Sequence, residues 1–367
     1  AGEKIRAFIP ASLPPSAPPL DLSSLEEALA LALEALRLLD LAGSMVPSID
    51  WFVYAFVRKE AVLSSQIEGT QSTLMDLFES EVHRDNPGDH DLQEVCAYLE
   101  ALEHGWNEIE NADGLPICMR LLSEVHRKLL NSTRGSSKQP GEVRRTQNWL
   151  GGTRPGNAAF VPAPPHRLPE LLGEFEKAIH DPSDLHPLIR IGLLHVQFET
   201  IHPYLDGNGR LGRLLITLLL REWQLLSKPL LYISLHLKTH RDEYYRRLGA
   251  VRTQGDWEGW LNFFLEGVAE TATSATDTAR KLHAVMSEYR ERLLGRSDIT
   301  VLSLRLFELL PDHPVVNTNR TIELLECSRP AGIKALRVLE SAGVLSPLSN
   351  ERKNRMLAFE AYLKHLR

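Results

Sequence analysis

Apolar residues recur at helical spacing along almost the whole chain. Ser23 and Ser24 precede Leu25, Leu29, Leu33 and Leu36, which reads as a capped amphipathic helix. A second helix is expected over residues 50–65, stopping near Gly69, and a third from near Ser72. Leu92, Val95, Cys96, Leu99 and Leu102 mark another, with two more at 119–130 and 169–179. The helical pattern resumes at 188–201, 208–223, 241–251 and 257–294. After Gly295 the texture changes. A helix is expected at 298–310, a second is led by Thr318-Asn319-Arg320-Thr321, and a third runs from Ser328-Arg329-Pro330 to about Ala342. Gly343-Val344-Leu345 turns into a short strand, and a second strand is expected near 356–359. Three helices followed by a two-stranded wing predict a winged helix-turn-helix.

Two stretches break the helical pattern. Residues 9–19 carry Pro10, Pro14, Pro15, Pro18 and Pro19, which lack amide donors and predict an extended arm. Residues 141–165 read GEVRRTQNWLGGTRPGNAAFVPAPP, where Gly151, Gly152, Gly156 and four prolines exclude a helix. Extended pieces at 148–150 and 159–161 flank a turn at Pro155-Gly156-Asn157, the signature of a β-hairpin. The edge of such a hairpin offers unpaired backbone groups to a partner. The expected fold is mostly α with one hairpin, in three parts: a helical region over 1–110, a core over 111–295 and a winged domain over 296–367.

A chain of 367 residues, 43% hydrophobic and 24% charged, can bury a large core without disulfide staples. Its net charge of -7 argues against a protein built on non-specific nucleic-acid binding. Cys96, Cys118 and Cys327 are odd in number and far apart, which predicts free thiols in a reducing compartment. The chain opens without a basic region followed by an apolar run, and no apolar stretch approaches the roughly 18 residues that span a membrane. These features predict a cytoplasmic protein without a membrane partner.

The chemistry concentrates in residues 202–213, HPYLDGNGRLGR. Pro203 ends the preceding helix, Gly207-Asn208-Gly209 makes a tight loop, and a strongly apolar helix follows. Backbone amides at a helix N-terminus, reinforced by the helix dipole, form an anion site suited to phosphates. Arg210 and Arg213, three apart, share one face of the first turns, where guanidiniums bind a triphosphate in forked geometry. Asp206, just before the loop, can hold Mg²⁺. His202, on the loop's other side, can take a proton from an incoming hydroxyl as a neutral imidazole.

These residues resemble the signature of the Fic (filamentation induced by cAMP) family, His-Pro-Phe-x-Asp/Glu-Gly-Asn-Gly-Arg-x-x-Arg, with Tyr204 in place of Phe. The upstream HVQFETI, residues 195–201, also looks like the family's helix before the motif, with His195 and Phe198 as packing residues. The resemblance implies a Fic-type helical core and a protein adenylyltransferase that uses ATP and Mg²⁺. His202 would be the general base and Asp206 the Mg²⁺ ligand. Gly207, Asn208, Gly209, Arg210, Leu211, Gly212 and Arg213 would line the nucleotide site, with the arginines on the β- and γ-phosphates. The hairpin would be the family's flap, with Asn157, Phe160 and Val161 near nucleotide and target. Tyr244 and Tyr245 match positions that line the adenine pocket, although half-buried tyrosines are an equal reading of the sequence. Arg241 and Arg252 read as solvated charges.

Residues 64–69, SSQIEG, resemble the family's inhibitory motif, Ser/Thr-x-x-x-Glu-Gly/Asn, here placed N-terminal to the catalytic motif as in class II. Ser64, Glu68 and Gly69 are the motif positions. Glu68 at a helix end aimed at the site would pair with Arg213 and remove the γ-phosphate's partner. Other nucleotide donors and removal of AMP are alternative activities of the same site. A nucleotide-sensing DNA-binding regulator is the alternative of another class. Residues 297–367 hold 10 basic and 8 acidic residues, with Arg329, Lys334 and Arg337 on the expected recognition helix. The expected partner is a protein bearing a Ser, Thr or Tyr hydroxyl, or the chain itself. A homodimer is left open.

Overall fold

A computed structural model describes residues 5–44, 49–83, 89–131, 133–348 and 355–367. Its helices in the first two thirds are α1 (Glu26–Ser44), α2 (Asp50–Ile67), α3 (Leu74–His83), α4 (His90–Glu110), α5 (Met119–Leu130), α6 (Leu168–His180), α7 (Pro187–Ile201), α8 (Asn208–Glu222), α9 (Ser234–Thr239), α10 (Arg241–Gln254) and α11 (Trp257–Leu294). The C-terminal part runs α12 (Val301–Leu309), β1 (Val315–Val316), α13 (Thr318–Leu325), α14 (Arg329–Ser341), β2 (Ser346–Pro347), β3 (Leu357–Ala358) and α15 (Glu360–Leu363).

The core is built around α7 and α8. α7 is buried almost throughout, and α8 buries Leu211, Leu214, Leu215, Leu218 and Leu219. A helix apolar on all sides belongs in the middle of a protein, so other helices must wrap this pair. α4 and α5 pack on α8, while α6, α10 and α11 pack on α7. Local chemistry fixes the ends. Pro187 sits in the first turn of α7, where its missing amide is no loss, and the His186 side chain accepts from Leu188 N. Asp256 caps α11, which lies along α1. α2 crosses the outside of the pair, against α4 and α9, and delivers its C-terminal end to the loop that joins α7 to α8.

In the C-terminal part, β1, β3 and β2 form an antiparallel sheet in that order, with Val316 opposite Leu357 and Pro347 opposite Leu357 on its other side. It docks on the rest through Phe359 against Tyr289 of α11, ring centroids 5.2 Å apart, and His313 against Tyr54 of α2, 6.2 Å apart. The sequence pattern missed β1 and α9, both too short to show a period. It also began α12 three residues early, because Thr300 caps that helix through a reciprocal bond with Ser303. Among the described residues no helix is long and apolar enough to cross a membrane.

Candidate functional site

The loop between α7 and α8 is held by side chains on every side. His202 ends α7 in the left-handed region, φ 51°, while its N–H still donates to Phe198 O. Asn208 closes the loop: Tyr204 N donates to its Oδ1 and its Nδ2 donates to Tyr204 O, both at 2.9 Å. Asn148 also donates to Tyr204 O. Gly207, φ 75°, donates to Asp206 Oδ1, and its place against His126 and Leu130 leaves little room for a side chain. His126 accepts from Gly141 N at Nδ1, so its Nε2 carries the proton and donates to the Asp206 carbonyl. Arg144, fully buried, donates to the carbonyls of His202 and Ala163 and so ties the loop to the base of the hairpin.

His202 is neutral. Burial, then the charge of Arg252, pull its pKa down to about 4. Its Nδ1 is buried and has no hydrogen-bond partner among the described residues. It is a free base at neutral pH.

The paired arginines diverge. Arg213 is 1% exposed and donates to Ser64 Oγ, Ser64 O and Glu68 Oε1, at 2.9, 2.9 and 2.8 Å. Burial works against charge on Glu68, but the Arg213 guanidinium outweighs it and holds the carboxyl below its ordinary range. The carboxylate also lies against Gly209: a Cβ there would stand 2.3 Å from Glu68 Oε1. Glu68 therefore lies against the first turn of α8, where Gly209 leaves the room for it. Glu68 is the residue that follows α2, and Gly69 at φ 103° stops the helix there.

Arg210 turns to the other side. It pairs with Glu94 of α4 at 3.0 Å, and Glu94 also receives Arg134. Each arginine thus has a carboxylate to offset the helix dipole. The expectation of two guanidiniums sharing one open face is corrected: only Arg213 reaches the α2 end, because the buried Glu94 captures Arg210.

Comparison with known proteins follows the same two segments. Residues 26–107 match the family model "Fic/DOC family N-terminal" and residues 116–220 match "Fic/DOC family", together about half the chain. The chain is a Fic/DOC family protein. It is a distant homologue of protein adenylyltransferase Fic: the protein of that name from Drosophila grimshawi is 32% identical over 160 residues, 43% of this chain and 30% of that protein. The one from Culex quinquefasciatus is 32% identical over 158 residues, 42% of this chain and 28% of that protein. The chain thus spans under a third of the length of these relatives. In fold it resembles a Fic family protein from Desulfovibrio desulfuricans, with TM-score 0.57 at 19% identity over 96% of this chain and 98% of that one. It also resembles Fic-1 from C. elegans, with TM-score 0.54 at 20% identity over 73% and 74%.

The remaining Fic-motif residues fall into two groups. Leu211 is fully buried, and the Gly212 carbonyl accepts from His195 Nδ1, so both hold α8 in place from beneath. Tyr244 is 1% exposed and its hydroxyl donates to His195 Nε2; it is a core residue, and the adenine-pocket reading is corrected for it. Tyr245, 43% exposed with Arg241 over its ring, keeps an accessible face. Arg241 and Arg252 are not free solvated charges. Arg241 donates to Ile67 O at the end of α2, and Arg252 donates to Thr200 and covers the Phe160 ring at 4.0 Å.

The hairpin is shorter than the pattern predicts. A single bridge joins Leu150 and Phe160, and Pro155–Asn157 is a 3₁₀ turn. Asn157 is corrected to a turn-holder: its Oδ1 accepts from Thr153 N and Arg154 N. Phe160 and Val161 stand on the hairpin's return side, where Val161 O accepts from Phe8 N of the N-terminal arm. Glu94, His126 and Arg144 are the site-supporting residues that sequence reading missed. Glu94 had a signal, since it lies on the same helix face as Tyr98, Ala101 and Gly105, all buried.

Proposed function

We propose that this Fic/DOC protein transfers AMP from ATP to a Ser, Thr or Tyr hydroxyl of a protein, itself included, and that Glu68 restrains it. The observation that carries this reading is the Glu68 carboxylate lying on both Arg213 and the Gly209 backbone, beside the neutral His202. A carboxylate can stand in for a phosphate, so its position on a guanidinium at a helix N-terminus supports a phosphate site there.

The residues present suit the reaction. The amides of Asn208, Gly209 and Arg210 cradle phosphate oxygens, and Arg213 takes the terminal phosphate once Glu68 withdraws. Asp206 has one carboxylate oxygen on Gly207 N and offers the other to Mg²⁺, which binds through one or two carboxylates plus phosphates. Bound there, the cation supplies charge neutralisation to the phosphates. The target hydroxyl gives its proton to His202 and attacks the α-phosphorus. The bond to the β-phosphate oxygen breaks, pyrophosphate leaves, and AMP stays on the target oxygen. Catalysis by such a site is positioning plus electrostatics. The target lies along the hairpin as an added strand. We read the C-terminal helices and sheet as a winged helix that selects the partner, through the exposed Arg329, Lys334 and Arg337 of α14.

Glu68→Gly tests the reading. Freed of its rival, Arg213 accepts ATP, and transfer of labelled AMP to the chain itself rises by about tenfold, since Glu68, whose side chain is 35% exposed, no longer competes with phosphate for the buried guanidinium. Arg213→Ala cancels the gain in the double variant. Intact-protein mass distinguishes an AMP from a UMP adduct. An unchanged or lower rate in Glu68→Gly overturns the restraint.

A further inference from the structure

We propose that His236, His240 and Glu270 form a binding site for a divalent first-row transition cation of zinc type. The three lie outside the nucleotide site, where α9 turns into α10 and both rest on α11. Their donor atoms are all within 4.8 Å of one another. His236 Nδ1 and Glu270 Oε2 stand 2.6 Å apart, and the two imidazole centroids 4.5 Å apart. Donor atoms about 2.1 Å from a tetrahedral cation stand about 3.4 Å from each other. His236 Nδ1 and Glu270 Oε2 are closer than that, and no pair of donor atoms is farther apart than 4.8 Å, so small side-chain shifts bring the three to ligand spacing.

Hydrogen bonds hold two of the ligands in place. His240 Nδ1 donates to the His236 carbonyl at 3.2 Å, which leaves the lone pair on its Nε2. A backbone carbonyl on the far nitrogen is the usual device that orients a metal-binding imidazole. His236 is 6% exposed, and its Nδ1 faces the Glu270 carboxylate. A cation held at Nδ1 requires the ring proton to sit on Nε2 instead, a buried nitrogen that has no partner among the described residues, and the metal–ligand bonds must outweigh that cost. Phe263 packs on both rings, at 4.7 and 6.4 Å, and holds them facing each other. His240 and Glu270 are exposed, which supplies the entry path and leaves a fourth position to water. Two imidazoles, one carboxylate and one open position are a zinc-type donor set, whereas Mg²⁺ prefers oxygen ligands.

The test uses the full chain stripped with a chelator and kept in excess Mg²⁺ to occupy hard carboxylate sites. Calorimetric titration with Zn²⁺ should show one equivalent bound at micromolar affinity or better. Co²⁺ in its place should give the visible absorption of a tetrahedral centre. His240→Ala and Glu270→Gln, both at exposed positions that leave the core intact, should each weaken Zn²⁺ by about tenfold or more and abolish the cobalt spectrum. Zinc should raise the melting temperature of the wild type and not of His240→Ala. The proposal is overturned if the wild type shows no saturable Zn²⁺ binding, or if His240→Ala binds Zn²⁺ as the wild type does.

Discussion

The α7–α8 loop and the hairpin at 148–162 meet where Asn148 donates to Tyr204 O, and they are built in opposite ways. Each is closed by one asparagine. Asn208 is 2% exposed and holds Tyr204 by a reciprocal pair of bonds, inside a shell supplied by His126, Arg144 and Asn148. Asn157 is exposed, and it holds a turn whose backbone bonds are the Leu150–Phe160 bridge and two short bonds within the 3₁₀ turn, from Asn157 N to Arg154 O and from Ala158 N to Pro155 O. Buried and fully partnered polar groups give one geometry. Exposed turns with few bonds open at low cost. In the proposed transfer, the chemistry that depends on sub-ångström placement would fall on the rigid side, and recognition of the target on the adaptable side.

That division predicts unequal losses. The largest belongs to the base. His202→Ala should lower AMP transfer by about a hundredfold or more while ATP binding stays near wild type, because His202 serves the hydroxyl and not the phosphates. Initial rates with labelled ATP, beside calorimetric ATP binding in the Glu68→Gly background, make the comparison. Transfer at the parental rate would remove His202 from the role of base. With its pKa near 4, transfer should also be insensitive to His202 titration from pH 5 upward.

The next effect lies beneath the loop. Burial pulls the His195 pKa to about 4, against 6.5 for an exposed imidazole. Between those values the unfolded chain binds the proton and the folded one does not, so stability falls as pH drops through the window. His195 alone should account for about 3 kcal/mol of loss from pH 7 to pH 4. Denaturant melts of the wild type and His195→Gln at both pH values isolate it from Glu60 and Glu199. Those buried carboxyls are raised to about 7, and their contribution runs the other way. Parallel pH profiles for wild type and variant would contradict a neutral, proton-excluding His195.

Asn208→Ala comes third. It leaves Tyr204 N buried without its acceptor, a loss of about 2 kcal/mol in stability. It should also slow transfer, because the loop amides lose their aim. A variant as stable and active as the parent would mean that His126 and Asn148 suffice to hold the loop.

Much of this was legible before any coordinates. α5 lies where its apolar period places it, and the twelve residues of the motif form the loop and helix start that their glycines and proline demand. What escaped were contacts between distant positions. Arg210 meets Glu94 across 116 residues and His126 meets Asp206 across 80, and neither partner carries a local signal of the other. Tyr244 differs from Tyr245 only in which side of α10 faces His195, a distinction that adjacent identical residues cannot show. α9 was hidden because a six-residue helix inside an apolar run has no visible period.

The smallest effect is on the hairpin, and there the two properties should separate. The Asn157 bonds to Thr153 N, Arg154 N and Thr153 Oγ1 are all exposed, so water replaces them when the side chain is removed. Asn157→Ala should therefore cost only a few tenths of a kcal/mol, below the resolution of most melts. Yet the turn fixes where the strands at Leu150 and Phe160 lie, and in the proposed transfer the target strand docks along this hairpin. Loosening it makes the hairpin spend less time in the docking-competent form, which weakens apparent target affinity by that fraction. Once the target is seated, its hydroxyl meets the same His202 and the same loop. The expectation is a raised KM for the protein target with kcat and the KM for ATP unchanged. The measurement is a two-substrate kinetic series on Asn157→Ala in the Glu68→Gly background. A fall in kcat at saturating target, or a raised KM for ATP, would mean that the hairpin shapes the reaction itself and that the contrast with the loop is wrong.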